Sequence, residues 1–306
     1  MKILVTGGAG FIASHIADAY IDAGHEVVIV DNLSTGRKQN VNAKAVFYEM
    51  DIRDKGLRSL FKSHHFDVVN HHAAQMDVRR SVEDPIYDAE VNVLGFLNLL
   101  QGCVATGVKK VIFASSGGAI YGEQDTFPAT EEHKTQPYSP YGITKLIGEK
   151  YLFFYHLTYG LAYTALRYAN VYGPRQNPHG EAGVVAIFCE RMLSRQQAVI
   201  YGTGEQTRDF VYVRDVVAAN LAALNQNDCD TFNIGTAVET SVHQLFDHLN
   251  TLTGAHMVKN HAAKKEGEQM RSVIDPGKAK HVLGWTPRYR IDEGLAETVN
   301  FFRDNR

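Results

Sequence analysis

Lys2-Ile3-Leu4-Val5-Thr6-Gly7-Gly8-Ala9-Gly10-Phe11-Ile12-Ala13 stands near the start of the chain and sets its architecture. Ile3-Leu4-Val5 is an aliphatic run without polar alternation, the mark of a parallel strand buried on both faces. Glycines follow at once, and Ile12, Ile16, Ala17, Tyr20 and Ala23 then recur at helical spacing up to Gly24. Strand, glycine turn and helix make the first unit of a doubly wound parallel α/β sheet. Gly7 permits the tight turn and Gly10 lets the backbone approach a pyrophosphate, whose charge suits the N–H groups of Phe11 and Ile12 at the helix start. Ala13 replaces the usual third glycine, where a small residue allows close helix packing. A second aliphatic run, residues 26–30, ends at Asp31, about 20 residues beyond the glycines. A carboxylate there accepts from both hydroxyls of an adenosine ribose and repels a 2′-phosphate, so the spacing predicts NAD rather than NADP.

The βα alternation continues outward from this unit. Residues 45–48 read as a strand ending near Asp51-Ile52, residues 57–61 as a helix, and residues 68–70 as the next strand. His71-His72-Ala73-Ala74-Gln75 then falls at the carboxyl edge of the sheet, where open α/β folds bind ligands. Asn32-Leu33-Ser34-Thr35-Gly36 reads as the loop beyond the ribose, with Arg37 and Lys38 as solvated cations. The histidine pairs 64–65 and 71–72 invite a metal. Adjacent strand residues point to opposite faces, however, so neither pair chelates and no metal is expected.

Residues 110–114 form a further buried strand leading into Ser115-Ser116-Gly117-Gly118, and residues 162–167 read as the last strand of this lobe. Tyr168-Ala169-Asn170-Val171-Tyr172-Gly173-Pro174 breaks the pattern. This predicts a dinucleotide-binding lobe over 1–169, with some later segments returning to it, and a smaller α/β lobe over 170–306. In the second lobe, residues 184–193 read as a helix and 198–201 as a strand. Residues 202–209 read as a glycine-bearing loop carrying Arg208, followed by a strand over 210–213 and a helix opened by Asp215. Val91, Leu94, Leu97, Leu99, Leu100 and Val104 predict one long helix with more apolar positions than a single sheet-facing stripe needs. Tyr151, Leu152, Phe153, Phe154 and Leu157 give a second helix the same excess. Burial within the domain would absorb these residues; an isologous homodimer in which four helices pack is the expectation carried forward.

Composition narrows the function classes. With 306 residues the chain can bury a large core, and its net charge of −3 without long basic runs argues against nucleic acid as a partner. No apolar stretch approaches the ~18 residues of a membrane span. Cys103, Cys189 and Cys229 are far apart and lack C-x-x-C spacing, which reads as buried thiols in a reducing compartment. A soluble cytoplasmic protein acting on small molecules is expected.

The candidate chemistry lies in Tyr141-Gly142-Ile143-Thr144-Lys145. A tyrosine and a lysine four apart share one helix face. Ser139 suits the N-cap and Pro140 the first helical position, which places both side chains in the first turns. A phenolate at pH 7 needs a shift of about 3 units, or ~4 kcal/mol. A lysine cation about 4 Å away at an effective dielectric of about 20 supplies energy of that order. Alone, Tyr-x-x-x-Lys is common on helix surfaces.

The conjunction is not common. Thr6-Gly7-x-x-Gly10-x-x-Ala13, Asp31-Asn32-Leu33-Ser34-Thr35-Gly36, His72-Ala73-Ala74-Gln75, Tyr141-x-x-x-Lys145, Arg167-Tyr168-x-Asn170 and Arg208-Asp209-Phe210-Val211-Tyr212-Val213 together resemble an extended short-chain dehydrogenase/reductase. The group most resembled is the UDP-glucose 4-epimerases, and the match spans nearly the whole chain. The resemblance implies a tightly held NAD⁺, reduced and reoxidised within one turnover. Its contacts would be Gly7, Gly10, Phe11, Ile12, Asp31, Asn32, Ser34, Thr35, Gly36, Asp51, Ile52, Ala73, Ala74, Gln75, Asn92, Ser115, Tyr141, Lys145 and Tyr168. Tyr141 would take the proton of the sugar 4-hydroxyl while hydride leaves C4, with Lys145 holding the nicotinamide ribose. Asn170 and Arg208 would hold the diphosphate, Val199 and Tyr201 would flank the uracil, and Lys265, Glu268 and Ser272 would complete the substrate side.

Three positions depart from that pattern. Gly117 stands where the family usually carries a serine or threonine that hydrogen-bonds the reacting hydroxyl; Ser116 is the neighbouring candidate. Lys265 replaces a common diphosphate-binding arginine. Ser272 falls where some relatives carry a bulky tyrosine that excludes an N-acetyl group, which suggests room for N-acetylated UDP-hexoses. Two rivals remain. A nucleotide-sugar 4,6-dehydratase or decarboxylase needs an acid where Gly118 and Ala119 stand. A catalytically silent NAD-binding regulator need not keep Tyr141 and Lys145.

Overall fold

The computed structural model describes residues 1–179, 183–226, 229–264 and 269–305. The first half runs β1 (Lys2–Thr6), α1 (Phe11–Asp22), β2 (Glu26–Asp31), β3 (Val46–Glu49), α2 (Leu57–His64) and β4 (Val68–His71). It continues through α3 (Val78–Glu83), α4 (Pro85–Ala89), a π-helical segment (Glu90–Gly95), α5 (Phe96–Thr106), β5 (Lys110–Ser116), α6 (Pro140–Tyr159) and β6 (Ala162–Tyr168). The rest comprises β7 (Asn170–Tyr172), α7 (Val184–Leu193), β8 (Val199–Tyr201), β9 (Thr207–Tyr212), α8 (Val213–Leu224) and β10 (Asp230–Ile234). Then come β11 (Glu239–Ser241), α9 (Val242–Thr253), β12 (Asn260–Ala262), β13 (Arg271–Ser272), α10 (Gly277–Leu283) and α11 (Ile291–Asp304).

Seven parallel strands form one sheet in the order β10-β6-β5-β4-β1-β2-β3. Alternate residues of each strand feed different cores, which explains why the strands carry no polar alternation. Ile3, Val5, Val27 and Ile29 pack with Ile16 and Tyr20 of α1 and Val216 of α8. Leu4, Val28, Val30 and Val69 pack with Phe61 of α2, Leu99 of α5 and Leu152 of α6. A third core joins β9 to α7, α9 and α11 through Phe188, Phe210, Phe246 and Leu295. The order of connection reverses between β1 and β4, so a crevice opens at their carboxyl ends.

Four expectations need correction. β6 is not the last strand of the large sheet, because β10 pairs with it in parallel from Asp230 to Ile234. A return of some later segment is expected from the sequence, but its place as a strand beside β6 is not. The long helix is not a single α-helix: it starts at Pro85 and loosens to π geometry over Glu90–Gly95. That segment carries Asn92, whose side chain donates to the Gln75 carbonyl at 2.9 Å. Arg208 lies within β9 rather than in a loop, because β11 and β13 pair on either side of it. The helix expected from Asp215 begins at Val213, and Asp215 instead accepts the backbone N–H groups of Arg288 and Tyr289.

Candidate active site

The turn after β1 is built around close backbone approach. Gly7 has φ +71°, and a Cβ there would stand 2.7 Å from the Ala73 nitrogen, so glycine is needed to seat the turn against the segment after β4. The His72 amide donates to the Thr6 carbonyl at 3.1 Å and fixes that approach. Asp31 ends β2 nearly buried and accepts from the amides of Ala9 at 3.0 Å and Leu33 at 2.8 Å. Burial raises its pKa and the two N–H donors pull it back. The chain returns over this carboxylate at Gly36, where a Cβ would meet Asp31 Oδ1 at 2.8 Å. Ser34 and Thr35 stay exposed in between. Asn32 donates to Asp51 at 2.9 Å, and hydrogen bonds from Arg53 hold the Asp51 carboxyl down at about 2. Ile52 is buried beside it. A glycine turn facing a helix start, with a fixed carboxylate at the end of the neighbouring strand, fits an adenine dinucleotide.

At the same edge, α6 starts as its sequence dictates. Ser139 Oγ accepts the Gly142 amide at 3.1 Å, and Pro140 fills the first position. Half-buried Tyr141 is hydrogen-bonded to the Ser116 side chain at the end of β5. Burial pushes its phenol up to about 12, against the pull of the Ser116 bond, while the Asp88 carboxylate raises it further. Lys145 Nζ donates to the Ala114 carbonyl at 2.9 Å and lies 5.8 Å from the centre of the Tyr141 ring. Burial lowers its pKa to about 8, opposed by Asp88. Desolvation is thus the largest influence on both groups, which the Tyr141–Lys145 spacing alone does not reveal.

Position 117 is confined. A Cβ there would meet Ile274 Cδ1 at 2.7 Å and the Arg167 carbonyl oxygen at 3.2 Å, so the hydroxyl next to Tyr141 comes from Ser116. His71 and His72 diverge: His71 bonds Thr6 Oγ1 at 2.7 Å and stacks on Phe96, whereas His72 Nε2 meets the Tyr168 hydroxyl at 3.1 Å. Burial holds His72 down at about 3, hence neutral.

Other residues singled out in the sequence are distributed unevenly. Gln75 is turned inward, donating to Asp77 and Asp88. Ser115 Oγ donates to Glu149 Oε1 at 2.6 Å. Asn170 and Arg208 lie on β7 and β9, two strands of the smaller sheet. Arg208 Nη1 donates to the Thr207 carbonyl at 2.8 Å, and Ser272 pairs with it in β13. Val199 and half-exposed Tyr201 border a cavity of about 610 Å³, with Arg79 and Arg191 also on its wall. Lys265 and Glu268 lie outside the described residues.

Two buried polar groups at this edge were not foreseen. Asp88 accepts from Thr144, Gln75 and Asn92, and its only sequence signal is the four-residue spacing to Asn92. Glu149 and Arg167 form a bidentate ion pair with both side chains under a tenth exposed. Its signal is that Tyr141, Lys145 and Glu149 recur at four-residue intervals on one helix face.

A family model described as the NAD dependent epimerase/dehydratase family matches residues 3–235. Among solved structures, a Thermotoga maritima UDP-glucose 4-epimerase with UDP-glucose is 50% identical, with a TM-score of 0.98 over 100% of this chain and 99% of its own. A Thermus thermophilus UDP-glucose 4-epimerase in complex with NAD is 43% identical, with a TM-score of 0.94 over 99% of each chain. A UDP-N-acetylglucosamine 4-epimerase from Methanobrevibacter ruminantium, in complex with UDP-N-acetylmuramic acid, is 34% identical. Its TM-score is 0.94, over 100% of this chain and 99% of its own.

Proposed function

As the chain belongs to the NAD dependent epimerase/dehydratase family, we propose that it inverts C4 of a UDP-hexose through a transient 4-keto sugar. The observation that carries this reading is the Tyr141 phenol held against Ser116, with the Lys145 ammonium beneath it, at the carboxyl edge of the sheet. NAD⁺, when bound, accepts the C4 hydride and gives it back. Asp31 holds its adenosine ribose, the Gly7–Gly10 turn its pyrophosphate, and Lys145 and Tyr168 its nicotinamide end. As the phenolate, favoured by the Lys145 ammonium and by the cationic ring of bound NAD⁺, Tyr141 would take the proton of the 4-hydroxyl as the hydride leaves, and would return it to the same oxygen after the keto sugar has turned over. Ser116 hydrogen-bonds that oxygen. Asn170 and Arg208 hold the diphosphate, and Val199 and Tyr201 face the uracil.

The buried serine at 272 leaves space where a tyrosine would crowd C2, so the N-acetylated pair is read as part of the substrate range. The UDP-N-acetylglucosamine 4-epimerase among the structural neighbours supports that reading. Exposed Leu94, Phe153, Phe154 and Leu157 support a homodimer through α6 and the π-helical segment that leads into α5. The three free cysteines support a reducing, cytoplasmic setting. Elimination or decarboxylation lacks an acid after Ser116, where Gly117, Gly118 and Ala119 follow.

The test is an NMR assay of purified protein without added cofactor, given UDP-galactose, UDP-N-acetylgalactosamine, UDP-glucuronate or dTDP-glucose. C4 epimers are expected. A 4-keto-6-deoxy product, or no turnover by NAD-loaded protein, would overturn the proposal.

A further inference from the structure

The end of β5 is fastened to one face of α6 by three consecutive residues. Lys145 donates to the Ala114 carbonyl at 2.9 Å, Ser115 Oγ donates to Glu149 Oε1 at 2.6 Å, and Ser116 bonds Tyr141. Their α6 partners are spaced four residues apart, so strand and helix are held in one register. Glu149 cannot drift, because Arg167 of β6 donates Nε and Nη2 to its two oxygens at 2.9 and 2.7 Å. Arg167 is held in turn: its Nη1 donates to the Tyr121 hydroxyl at 2.8 Å, which donates to Asn233 at 2.7 Å.

A buried ion pair is weak evidence of stability, since apolar residues of similar volume often stabilise as well or better. Its presence beside the reacting hydroxyls points to placement. Ser116 is the last residue of β5, in register with Tyr168 of β6, and the Gly117 amide donates to the Tyr168 carbonyl at 2.8 Å, so the backbone here is held by the sheet. The sheet fixes Ser116 along the strand, whereas its approach to α6, which carries Tyr141, is set by the tie from the neighbouring Ser115 to Glu149. We propose that Ser115 and Glu149, the latter anchored by Arg167, are positioning residues that hold the Ser116 hydroxyl on Tyr141. The inference rests on the epimerase reading of the site and explains how a chain with glycine at 117 keeps a hydroxyl in reach.

The experiment compares NAD-loaded wild type, Ser115→Ala, Ser116→Ala and the double variant. Ser115→Ala should lower kcat about fivefold, the weight of one hydrogen bond, and leave KM for the UDP-sugar within about twofold. Ser115→Thr, which keeps the hydroxyl, should restore kcat. In the Ser116→Ala background, Ser115→Ala should add nothing, because the two act through one bond. The ¹³Cζ resonance of Tyr141, assigned by its loss in Tyr141→Phe, reads the same bond without turnover. It should move in the same direction in both single variants and no further in the double. An unchanged resonance and kcat in Ser115→Ala, or equal losses in both backgrounds, would overturn the proposal. A wild type that epimerises no UDP-hexose would sink the function alone, and the resonance would still decide this point.

Discussion

Lys145 Nζ sits 2.9 Å from the Ala114 carbonyl oxygen, a neutral acceptor, and among the described residues no carboxylate is bonded to this buried ammonium. Burial consequently dominates and lowers its pKa from the ordinary 10.5 to about 8, with the Asp88 charge opposing the drop. Between those two values the unfolded chain binds more protons than the folded one, so stability rises with pH across that window. The cofactor-free Lys145→Met protein lacks this effect. Relative to it, wild type should gain roughly 3 kcal/mol between pH 7 and pH 10.5. Urea unfolding of both proteins at the two pH values measures the change, and a constant difference would refute it.

Tyr141→Phe keeps the ring and removes the proton acceptor. A fall in kcat of about 10²–10⁴ is expected, the range for losing a positioned acid/base group. UDP-sugar affinity, measured by calorimetry on the NAD-loaded protein, should stay within about twofold. An equal loss in affinity would mean that the phenol serves binding rather than chemistry.

The sheet was legible because each device that builds it is local. Ile3-Leu4-Val5, the glycine turn and Asp31 occupy about 30 consecutive residues, and the strand, turn and helix follow from aliphatic runs and glycine placement. β10 was not legible, since its place beside β6 depends on packing between segments far apart in sequence. Arg208 read as a loop residue for a similar reason: only β11 and β13, both distant, make its segment a strand. At the site, Tyr141 and Lys145 could be paired by helix spacing alone. Their protonation could not be anticipated, because it follows from desolvation, which a sequence does not display. The same holds for Glu149 with Arg167, whose partnership exists only once α6 lies against β6.

Asp31 both closes the glycine turn and faces the adenosine ribose in the proposed complex. Asp31→Asn retains the shape and loses the charge. NAD affinity should fall about tenfold to a hundredfold, the value of hydrogen bonds to a charged group. The preference for NAD over NADP should narrow, since the repulsion of a 2′-phosphate goes with the charge. Fluorescence titration of cofactor-free protein with each dinucleotide gives both numbers, and an unaltered NAD to NADP ratio would move the ribose away from Asp31.

Ser272 is buried in β13, paired in register with Arg208 of β9. A tyrosine there would project into the region assigned to the sugar. Ser272→Tyr should reduce kcat/KM on UDP-N-acetylgalactosamine by tenfold or more, on the order of a steric clash costing ~1–3 kcal/mol. Turnover of UDP-galactose should change little. Parallel losses on both sugars would place the side chain elsewhere.

Leu157 of α6 is 68% exposed and Leu94, in the π-helical segment that leads into α5, is 59% exposed, and both helices already bury their inner faces against the sheet. Phe153 and Phe154 extend the patch along α6. Large contiguous apolar patches are uncommon on monomers, and four exposed large side chains on neighbouring elements are the residues from which one would be built. A second copy would cover it with an identical surface, since an isologous interface needs only self-complementarity. Burying one leucine side chain contributes about 1.5–3 kcal/mol, and two-fold symmetry counts each substitution twice. Phe153→Glu with Leu157→Glu should therefore convert a dimer to a monomer at micromolar concentration, with the far-UV circular dichroism unchanged. Sedimentation equilibrium distinguishes the two states, and a wild type that sediments as a monomer would remove the dimer from the proposal.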